Sequence, residues 1–257
     1  MPRVALLVEY TGRKFHGSQF QLGVRTVQEE LEKALSVFFR LPIRAIFAGR
    51  TDAGVHAAGM VVHFDVPEFD GDFYRLLWAL NGILPADLAA YDGQLVAEHF
   101  HSRFSANQRE YVYRILNRSQ RSALLDANHY FVNAGSLDVE RMEEAAVRLL
   151  GTHDFTSFRA SNSDKTSPLC RIERVQMLRI GEGQLEFWIG ANHFVYNMVR
   201  IIVGTLVEIG LSKRTPESFA EALSGQDRNL SGPTAPAWGL TLQKVRYPEE
   251  FSLFKKS

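Results

Sequence analysis

The sequence predicts an α+β protein made of two similar halves. Two observations lead to this prediction. Apolar runs of strand length are interleaved with segments of helical periodicity, and their order, β-α-β-β-α-β, occurs twice along the 257 residues. This order is typical of a ferredoxin-like unit, in which an antiparallel sheet carries its helices on one face. We therefore expect two ferredoxin-like (βαββαβ) halves with mixed or antiparallel sheets, at residues 1–103 and 104–257.

The first half begins with a strand predicted at residues 4–10. A helix is expected at 27–39, because Thr26 and Glu29 have capping-box spacing immediately before a helical apolar pattern. A loop that joins the second and third strands of such a unit is held between rigid elements, where site residues tend to lie. The remaining predicted elements are strands at 43–48 and 59–66, a helix at 73–80 and a strand at 91–99.

The second half shows the same order of elements without a repeat of individual residues. A long apolar segment predicts a helix at 194–209, and a shorter helix follows Thr215 and Pro216. The remaining predicted elements are strands at 110–116, 172–180, 185–191 and 240–245 and a helix at 139–150.

The charge of the chain is balanced overall but unevenly distributed. The 29 basic and 29 acidic residues give a formal net charge of zero, which argues against an unselective polyanion binder. Residues 65–98 contain seven acids and one base, whereas residues 103–121 contain five arginines and one acid, Glu110. Arginine supplies 22 of the bases, and its guanidinium suits bidentate phosphate contacts and stacking on nucleobases. A balanced total is therefore compatible with one basic face.

The compartment is indicated by the cysteine content and the apolar segments. The single cysteine, Cys170, cannot form an internal disulfide, so we expect a reducing, cytoplasmic environment. An uninterrupted run of only five apolar residues precedes Glu9, too few for a signal peptide. The most apolar later segment is interrupted by Arg200 and Glu208 and falls short of about 18 uninterrupted apolar residues. We expect no membrane span.

Several common catalytic chemistries are excluded by their missing motifs. The chain has no P-loop, G-x-G-x-x-G, H-E-x-x-H or G-x-S-x-G. A two-aspartate protease needs two comparable acidic loops, and glycoside hydrolysis usually needs a pair of carboxylates. His99 and His101 would share one face of a strand, which makes a metal site conceivable. Because no third ligand is in register, we expect no metal.

One isolated carboxylate, Asp52, lies in the stretch AGRTDAG at residues 48–54, two residues after Arg50. Two interpretations are open. Glycine next to aspartate is the usual composition of a turn, and such stretches are often only connections. Alternatively, an acid placed among residues too small to bury or solvate it has a functional role.

Arg200 is the only charged residue between residues 194 and 207, on a segment that is otherwise rich in valine, isoleucine and leucine. A buried guanidinium keeps its proton and should find a carboxylate. Asp52 is the acid most in need of such a partner, and an arginine would hold it ionised. The alternative is that Arg200 extends towards solvent at a helix end.

Residues 103–121 combine aromatic and basic side chains. On a strand, Arg109, Tyr111 and Tyr113 would point to one side and Glu110, Val112 and Arg114 to the other. The pattern fits either a nucleic-acid surface or a half-buried strand with charged edges. The residues concerned are Phe104, Tyr111 and Tyr113 with Arg103, Arg109, Arg114, Arg118 and Arg121.

Seven motifs follow one another over nearly the whole chain: TVQEELEKAL, AGRTDAGVHAAGMVVHFD, LNGILPADL, FHSRFSANQREYVYRI, GTHDFTSFRA, NHFVYNMVRIIVGTLVEIG and PAWGLTL. In this order they resemble the tRNA pseudouridine synthase A family. The ordered set is far more specific than an Arg-Thr-Asp triplet alone. The resemblance implies two ferredoxin-like halves with a central cleft, and a homodimer that works without a cofactor, the second half serving dimerisation and RNA binding.

The resemblance also implies an activity and roles for individual residues. The reaction would be isomerisation of uridine to pseudouridine at positions 38, 39 and 40 of the tRNA anticodon stem-loop. Asp52 would be the catalytic aspartate, Arg50 would help to displace the target base, and Tyr111 would pack on that base. Arg200 would pair with Asp52, and Leu240 would be an apolar residue of the pocket. Arg109 and Arg114 are expected to contact the tRNA.

Two positions depart from the family pattern. Thr11 stands where the family usually has an aspartate, and Ser18 where it usually has a tryptophan. We expect these departures to affect the packing and RNA contacts of the segment that follows the first strand, and to leave the chemistry of Asp52 unchanged.

Two other functions are weighed against this one. An RNA-binding or chaperone module would have the same fold without chemistry, so substitution of Asp52 would change nothing, whereas loss of Arg109 or Arg114 would weaken binding and its salt dependence. A hydrolase with a carboxylate nucleophile would incorporate water into its product. Isomerisation needs only one carboxylate, which fits the isolation of Asp52.

Overall fold

A computed structural model describes residues 1–160, 167–251 and 253–254. It divides into two compact units, Met1–Arg109 with Thr241–Ser257, and Glu110–Leu240. The strands are β1 Arg3–Tyr10, β2 Ile46–Phe47, β3 His56–Asp65, β4 Leu88–Val96, β5 Gln108–Asn117, β6 Tyr130–Val132, β7 Gly151–Asp154, β8 Leu169–Gly181, β9 Gln184–Ala191 and β10 Leu240–Arg246; the α-helices are α1 Val27–Phe39, α2 Phe73–Ile83, α3 Val139–Val147, α4 Met198–Gly210 and α5 Pro216–Gly225.

The first unit contains a mixed sheet in the order β4-β1-β3. The central strand β1 is antiparallel to both neighbours. Two strands share the outer edge of β3. Strand β2 pairs antiparallel with the end of β3, and β10 pairs parallel with its start, where Thr241 lies opposite His56. Helices α1 and α2 pack against each other. This arrangement places the loop between β2 and β3 at the start of a buried strand.

Helix α1 matches its predicted bounds because its start is strongly encoded. The hydroxyl of Thr26 accepts a hydrogen bond from the backbone nitrogen of Glu29 at 3.3 Å, as the capping pattern predicted. The helix ends where Arg40 adopts a left-handed conformation with φ of 55°. Its buried side includes Leu31 and Leu35, each inaccessible to solvent.

The second unit contains a sheet in the order β5-β9-β8-β7, with β6 parallel to β5. Strands β8 and β9 form a long antiparallel hairpin. Helix α3 packs against α4, α5 and β8. The apolar helix α4 is buried along most of its length, including Ile201, Ile202 and Leu206.

The structure corrects several sequence expectations. The helix expected from residue 194 begins at Met198, because Asn197 adopts a left-handed conformation with φ of 62° that no α-helix can include. The strand expected at 43–48 is only the two residues of β2, and the strand expected at 91–99 lies three residues earlier as β4. Strands β6 and β7 were not predicted. The structural division falls at 109/110 instead of 103/104, and residues 241–257 belong with the first unit.

Ion pairs stabilise the connection between β1 and α1. Arg25 binds both carboxylate oxygens of Asp87, at 2.7 and 2.8 Å, and Glu30 at 2.9 Å. Its guanidinium also lies 4.2 Å from the ring centre of Phe15. The Arg25 contact lowers the pKa of Asp87. The connection is therefore fixed to the turn before β4.

In the described part of the chain, no helix has the length and apolar character needed to cross a membrane.

The thiol of Cys170 is buried, and burial raises its pKa to about 12.

His63 gives the first unit a pH-dependent stability. Its ring is 1% exposed, its Nδ1 accepts a hydrogen bond from the backbone nitrogen of Ser102 at 3.1 Å, and burial, aided by the charges of His101 and Arg3, lowers its pKa to about 4. Between the unfolded value of about 6.5 and this folded value, the unfolded chain binds the proton more tightly. Stability is therefore fully present above about pH 6.5 and falls as the pH is lowered towards 4.

We expect acidification from pH 7 to pH 4 to lower the free energy of unfolding by roughly 3 kcal/mol at most through His63. Urea unfolding of wild type and His63→Asn across this range measures the effect, since the asparagine oxygen can replace Nδ1 as acceptor without titrating. The exposed His99, changed to Asn, is the control and should retain the wild-type slope. An unchanged slope in His63→Asn would show that other groups cause the acid sensitivity.

Candidate active site

The loop between β2 and β3 places Asp52 between two buried residues. Thr51 is 6% exposed and Val55 is 2% exposed, whereas Asp52 is half-buried and Arg50 is exposed. The backbone nitrogen of Val55 donates to the carbonyl of Asp52 at 3.1 Å, which closes a turn with Gly54 at φ of 84°. The loop starts where the nitrogen of Ala48 donates to Val61 at 2.9 Å. The turn interpretation is thus confirmed for the backbone, and Asp52 as a residue is partly exposed.

The segment after β1 fixes this loop from one side. Ser18 donates its backbone N–H to the carbonyl of Thr51 at 3.1 Å, and its hydroxyl oxygen accepts from the nitrogen of Thr51 at 2.9 Å. The hydroxyls of Thr51 and Tyr10 lie 2.8 Å apart. Every backbone and side-chain polar group of Thr51 therefore has a partner, immediately before Asp52. Sequence reasoning had noticed Ser18 only as a departure from the family pattern.

Two glycines allow this close approach. A Cβ on Gly12 would lie 2.0 Å from the carbonyl oxygen of Val55, and one on Gly17 would lie 2.8 Å from that of Thr51. Gly17 also has φ of 91°, a conformation that disfavours other residues. The backbone of the 11–18 segment can thus lie directly against the loop on both sides of Asp52.

We expect Gly17→Ala to slow the reaction that the resemblance implies about 10-fold or more, because the added methyl must displace Thr51 and with it Asp52. Gly23→Ala is a matched control: Gly23 has φ of 80°, but a Cβ there has no atom within 4 Å. Both variants carry similar backbone strain, of order 1–2 kcal/mol. Thermal unfolding together with the rate of that reaction separates the two effects, and equal rates for both variants would contradict a role for the close contact.

Arg109 binds the start of the same loop. Its guanidinium donates to the carbonyl of Ala48 at 3.1 Å, and to those of Arg103 and Ala106 at 2.6 and 3.0 Å. Arg109, which the sequence predicted as a tRNA contact, therefore holds the loop in place. Neither sequence spacing nor residue type could indicate the contact to the carbonyl of Ala48, which lies 61 residues earlier in the chain.

Tyr111 and Arg114 lie in the second unit, on β5. The ring of Tyr111 is half-buried and meets Phe194 edge to face, with ring centres 5.1 Å apart. Arg114 donates to Glu186 at 2.9 Å, and the other carboxylate oxygen of Glu186 accepts from Trp188 at 2.8 Å. Both residues thus have partners within the second unit.

Tyr113 does not belong to an exposed surface, one of the two interpretations that the sequence pattern left open. It is inaccessible to solvent, its hydroxyl donates to the carbonyl of Pro236 at 2.7 Å, and burial raises its pKa. Its ring packs against Gly239, where a Cβ would approach to 2.6 Å. Leu240, the next residue, is 6% exposed and begins β10. Tyr113 is therefore a core residue.

Arg200 lies in the first turn of α4, where its side chain is half-buried. Its Nε donates to the carbonyl of Ala235 at 2.9 Å and its Nη1 to the side-chain oxygen of Asn197 at 2.8 Å. The carbonyl of Arg200 in turn accepts from the nitrogen of Ala235 at 3.0 Å. Arg200 is thus held firmly within its own unit, and its ion pair with Asp52 stays a prediction.

Within the described ranges, no group of three His, Cys, Asp or Glu side chains could hold a metal ion. His101 accepts from the backbone nitrogens of Arg103 and Phe104 and meets His63 edge to face, with ring centres 4.8 Å apart. His99 packs near Phe251, with ring centres 5.4 Å apart. These contacts assign both histidines to local packing.

The comparisons define the class of the protein: the family model of the tRNA pseudouridine synthases matches residues 145–248. The tRNA pseudouridine synthase A of Methylococcus capsulatus is 46% identical over 98% of this chain and 92% of its own length. The enzymes of Photobacterium profundum and Halalkalibacterium halodurans are 45% and 46% identical, over 98% and 93% of this chain and 95% and 90% of their own lengths.

The chain belongs to the tRNA pseudouridine synthase A family. It is accordingly an isomerase that forms pseudouridine in tRNA. One solved structure, the archaeal box H/ACA sRNP Nop10–Cbf5 complex, matches with a TM-score of 0.36 and 10% identity over 80% of this chain and 43% of that chain.

Proposed function

We propose that this enzyme isomerises uridine at positions 38, 39 and 40 of the tRNA anticodon stem-loop, with Asp52 as the catalytic carboxylate. The observation that carries the proposal is the half-buried Asp52 in a turn whose preceding residue, Thr51, has all its polar groups bound. These bonds fix the backbone from which the carboxylate projects, while its small neighbours leave room for a nucleotide.

The reaction breaks the bond from ribose C1′ to N1 and forms a bond from C1′ to C5 of the same base. The C5 proton is lost and N1 gains a proton, so no water is consumed and no electron changes hands. One carboxylate suffices, either as nucleophile or as a charge that stabilises the separated base and sugar. A second acid poised to activate water would favour hydrolysis instead.

The other residues act around Asp52. The target base must leave its stack, which costs a few kcal/mol, and exposed Arg50 fills the space it leaves. Tyr111 packs on the displaced base and serves as a possible proton acceptor, and Leu240 lines the pocket. Arg200 pairs with Asp52 and keeps it ionised.

The tRNA is bound in part through the arginines of the segment that leads into and along β5. Arg109 and Arg114 contact the tRNA in addition to the protein groups that they bind. The protein works in the cytoplasm as a homodimer without a cofactor or metal, the first half carrying the catalytic loop and the second half serving dimerisation and RNA binding. Light scattering of the purified protein tests the dimer.

Tritium release tests the function directly. The protein is incubated with tRNA that carries tritium at uridine C5, because only bond formation at that carbon frees the label. We expect release from a tRNA with uridine at positions 38–40, and none when those uridines are replaced by cytidine. Release that persists after this replacement would contradict the assigned positions. Free uracil with water incorporated at the ribose would instead indicate a hydrolase.

A further inference from the structure

We propose that Ser18 is a positioning residue for the reaction, because its hydroxyl fixes the backbone from which the Asp52 carboxylate projects. The proposal rests on the proposed function of Asp52. Ser18 is 1% exposed, although serine is usually found at the surface. The side chain and backbone of Ser18 are hydrogen-bonded to the backbone of Thr51, and one peptide bond joins Thr51 to Asp52.

Ser18 is itself fixed by helix α1. Its carbonyl accepts from the backbone nitrogen of Gln28 at 2.9 Å, and the carbonyl of Gly17 accepts from Val27 at 3.3 Å. Both donors belong to the first turn of α1, whose N–H groups have no partner within the helix. The position of Ser18 is therefore set by the first turn of α1.

The same helix holds the other side of the loop. The side chain of Gln28 donates to the carbonyl of Ala45 at 3.2 Å, and the nitrogen of Ala45 donates to Glu32 at 3.0 Å. Helix α1 thus binds the chain before β2 through Gln28 and Glu32, and the chain before Asp52 through Ser18. Between these anchors the loop has little freedom to shift, which catalysis by an oriented carboxylate requires.

The hydroxyl of Ser18 supplies one specific contact in this arrangement. Without it, the buried N–H of Thr51 loses its acceptor and the loop must move to find another. The remaining bonds, from Ser18 N–H to Thr51 and from Tyr10 to Thr51, keep the segments together. Removing the hydroxyl should therefore misdirect Asp52 without unfolding the unit.

Single-turnover kinetics with enzyme in saturating excess over labelled tRNA test the proposal, because the rate constant then does not depend on the folded fraction. We expect Ser18→Ala to slow tritium release about 10- to 100-fold while the Kd for tRNA stays within about 3-fold of wild type. Ser18→Cys replaces the hydroxyl by a somewhat larger thiol that offers only a weak acceptor, so it should be as slow as the alanine variant.

Ser36→Ala is the matched control. Its hydroxyl likewise accepts from a backbone nitrogen, that of Ile43 at 3.1 Å, at the opposite end of α1. It should lower Tm slightly and leave the rate constant unchanged. A Ser18→Ala rate equal to wild type, or full rescue by Ser18→Cys, would overturn the proposal. Asp52→Asn, run in parallel, separates the two ideas: if that variant is active the function of Asp52 fails, and if it is inactive while Ser18→Ala is normal only the Ser18 proposal fails.

Discussion

Asp52→Asn should reduce pseudouridine formation roughly 10³-fold or more while tRNA still binds. Asparagine has nearly the shape of aspartate but carries no charge and is a poor nucleophile. The backbone carbonyl of Asp52 that accepts from Val55 is retained in the variant, so the turn should persist. Tritium release measures the loss, and filter binding measures the Kd, which depends mainly on contacts to the phosphates.

Asp92→Asn provides the matched control. Asp92 is also half-buried in the first unit, but lies on β4, where its side chain accepts from the nitrogen of Gly93 at 2.7 Å. This variant should retain the wild-type rate. Normal turnover by Asp52→Asn would remove the residue from the chemistry and require another explanation for the firmly bound loop around it.

The sequence predicted most of the fold because its signals are local. The apolar periodicity and capping pattern of α1 lie within 14 residues, and the structure reproduces them exactly at Val27–Phe39. Asn197 carries no comparable signal, so the later start of α4 at Met198 was missed. Strands β6 and β7, with three and four residues, are too short for an alternating pattern to be recognised.

The sequence predicted the residues of the candidate site but not the residues that hold its loop in place. Asp52 and Arg50 stand out because a charge among small residues is unusual. Ser18 and Arg109 bind the same loop from distances of 33 and 61 residues along the chain, through backbone groups that every residue possesses. Such contacts leave no mark in composition or periodicity, so only the folded chain identifies them.

In the second unit, Gly204 affects the position of Arg200. A Cβ on Gly204 would lie 1.7 Å from the carbonyl oxygen of Pro233, so the segment that follows residue 232 lies directly against α4. This segment begins where the nitrogen of Gly232 donates to Thr205 at 2.8 Å. It continues to Ala235, which binds both the backbone and the side chain of Arg200.

We expect Gly204→Ala to lower the free energy of unfolding by about 2 kcal/mol or more and to slow the reaction. The methyl group collides with backbone, which cannot rotate away as a side chain could, and this cost exceeds the gain of up to about 1 kcal/mol from helix propensity. Displacement of the segment would also move Ala235 away from Arg200. Urea unfolding and single-turnover tritium release measure the two effects.

Gly82→Ala isolates the contribution of helix propensity. Gly82 lies in α2, and a Cβ there has no atom within 4 Å, so this variant should be neutral or stabilised by up to about 1 kcal/mol. If Gly204→Ala proved equally stable, the segment after residue 232 would have room to move, and its hold on Arg200 would be weak. If it were unstable but fully active at enzyme excess, the position of Arg200 would not limit the chemistry. Loss of both stability and rate is the outcome expected of a segment that fixes this arginine through Ala235 and the core residue Tyr113 through Pro236.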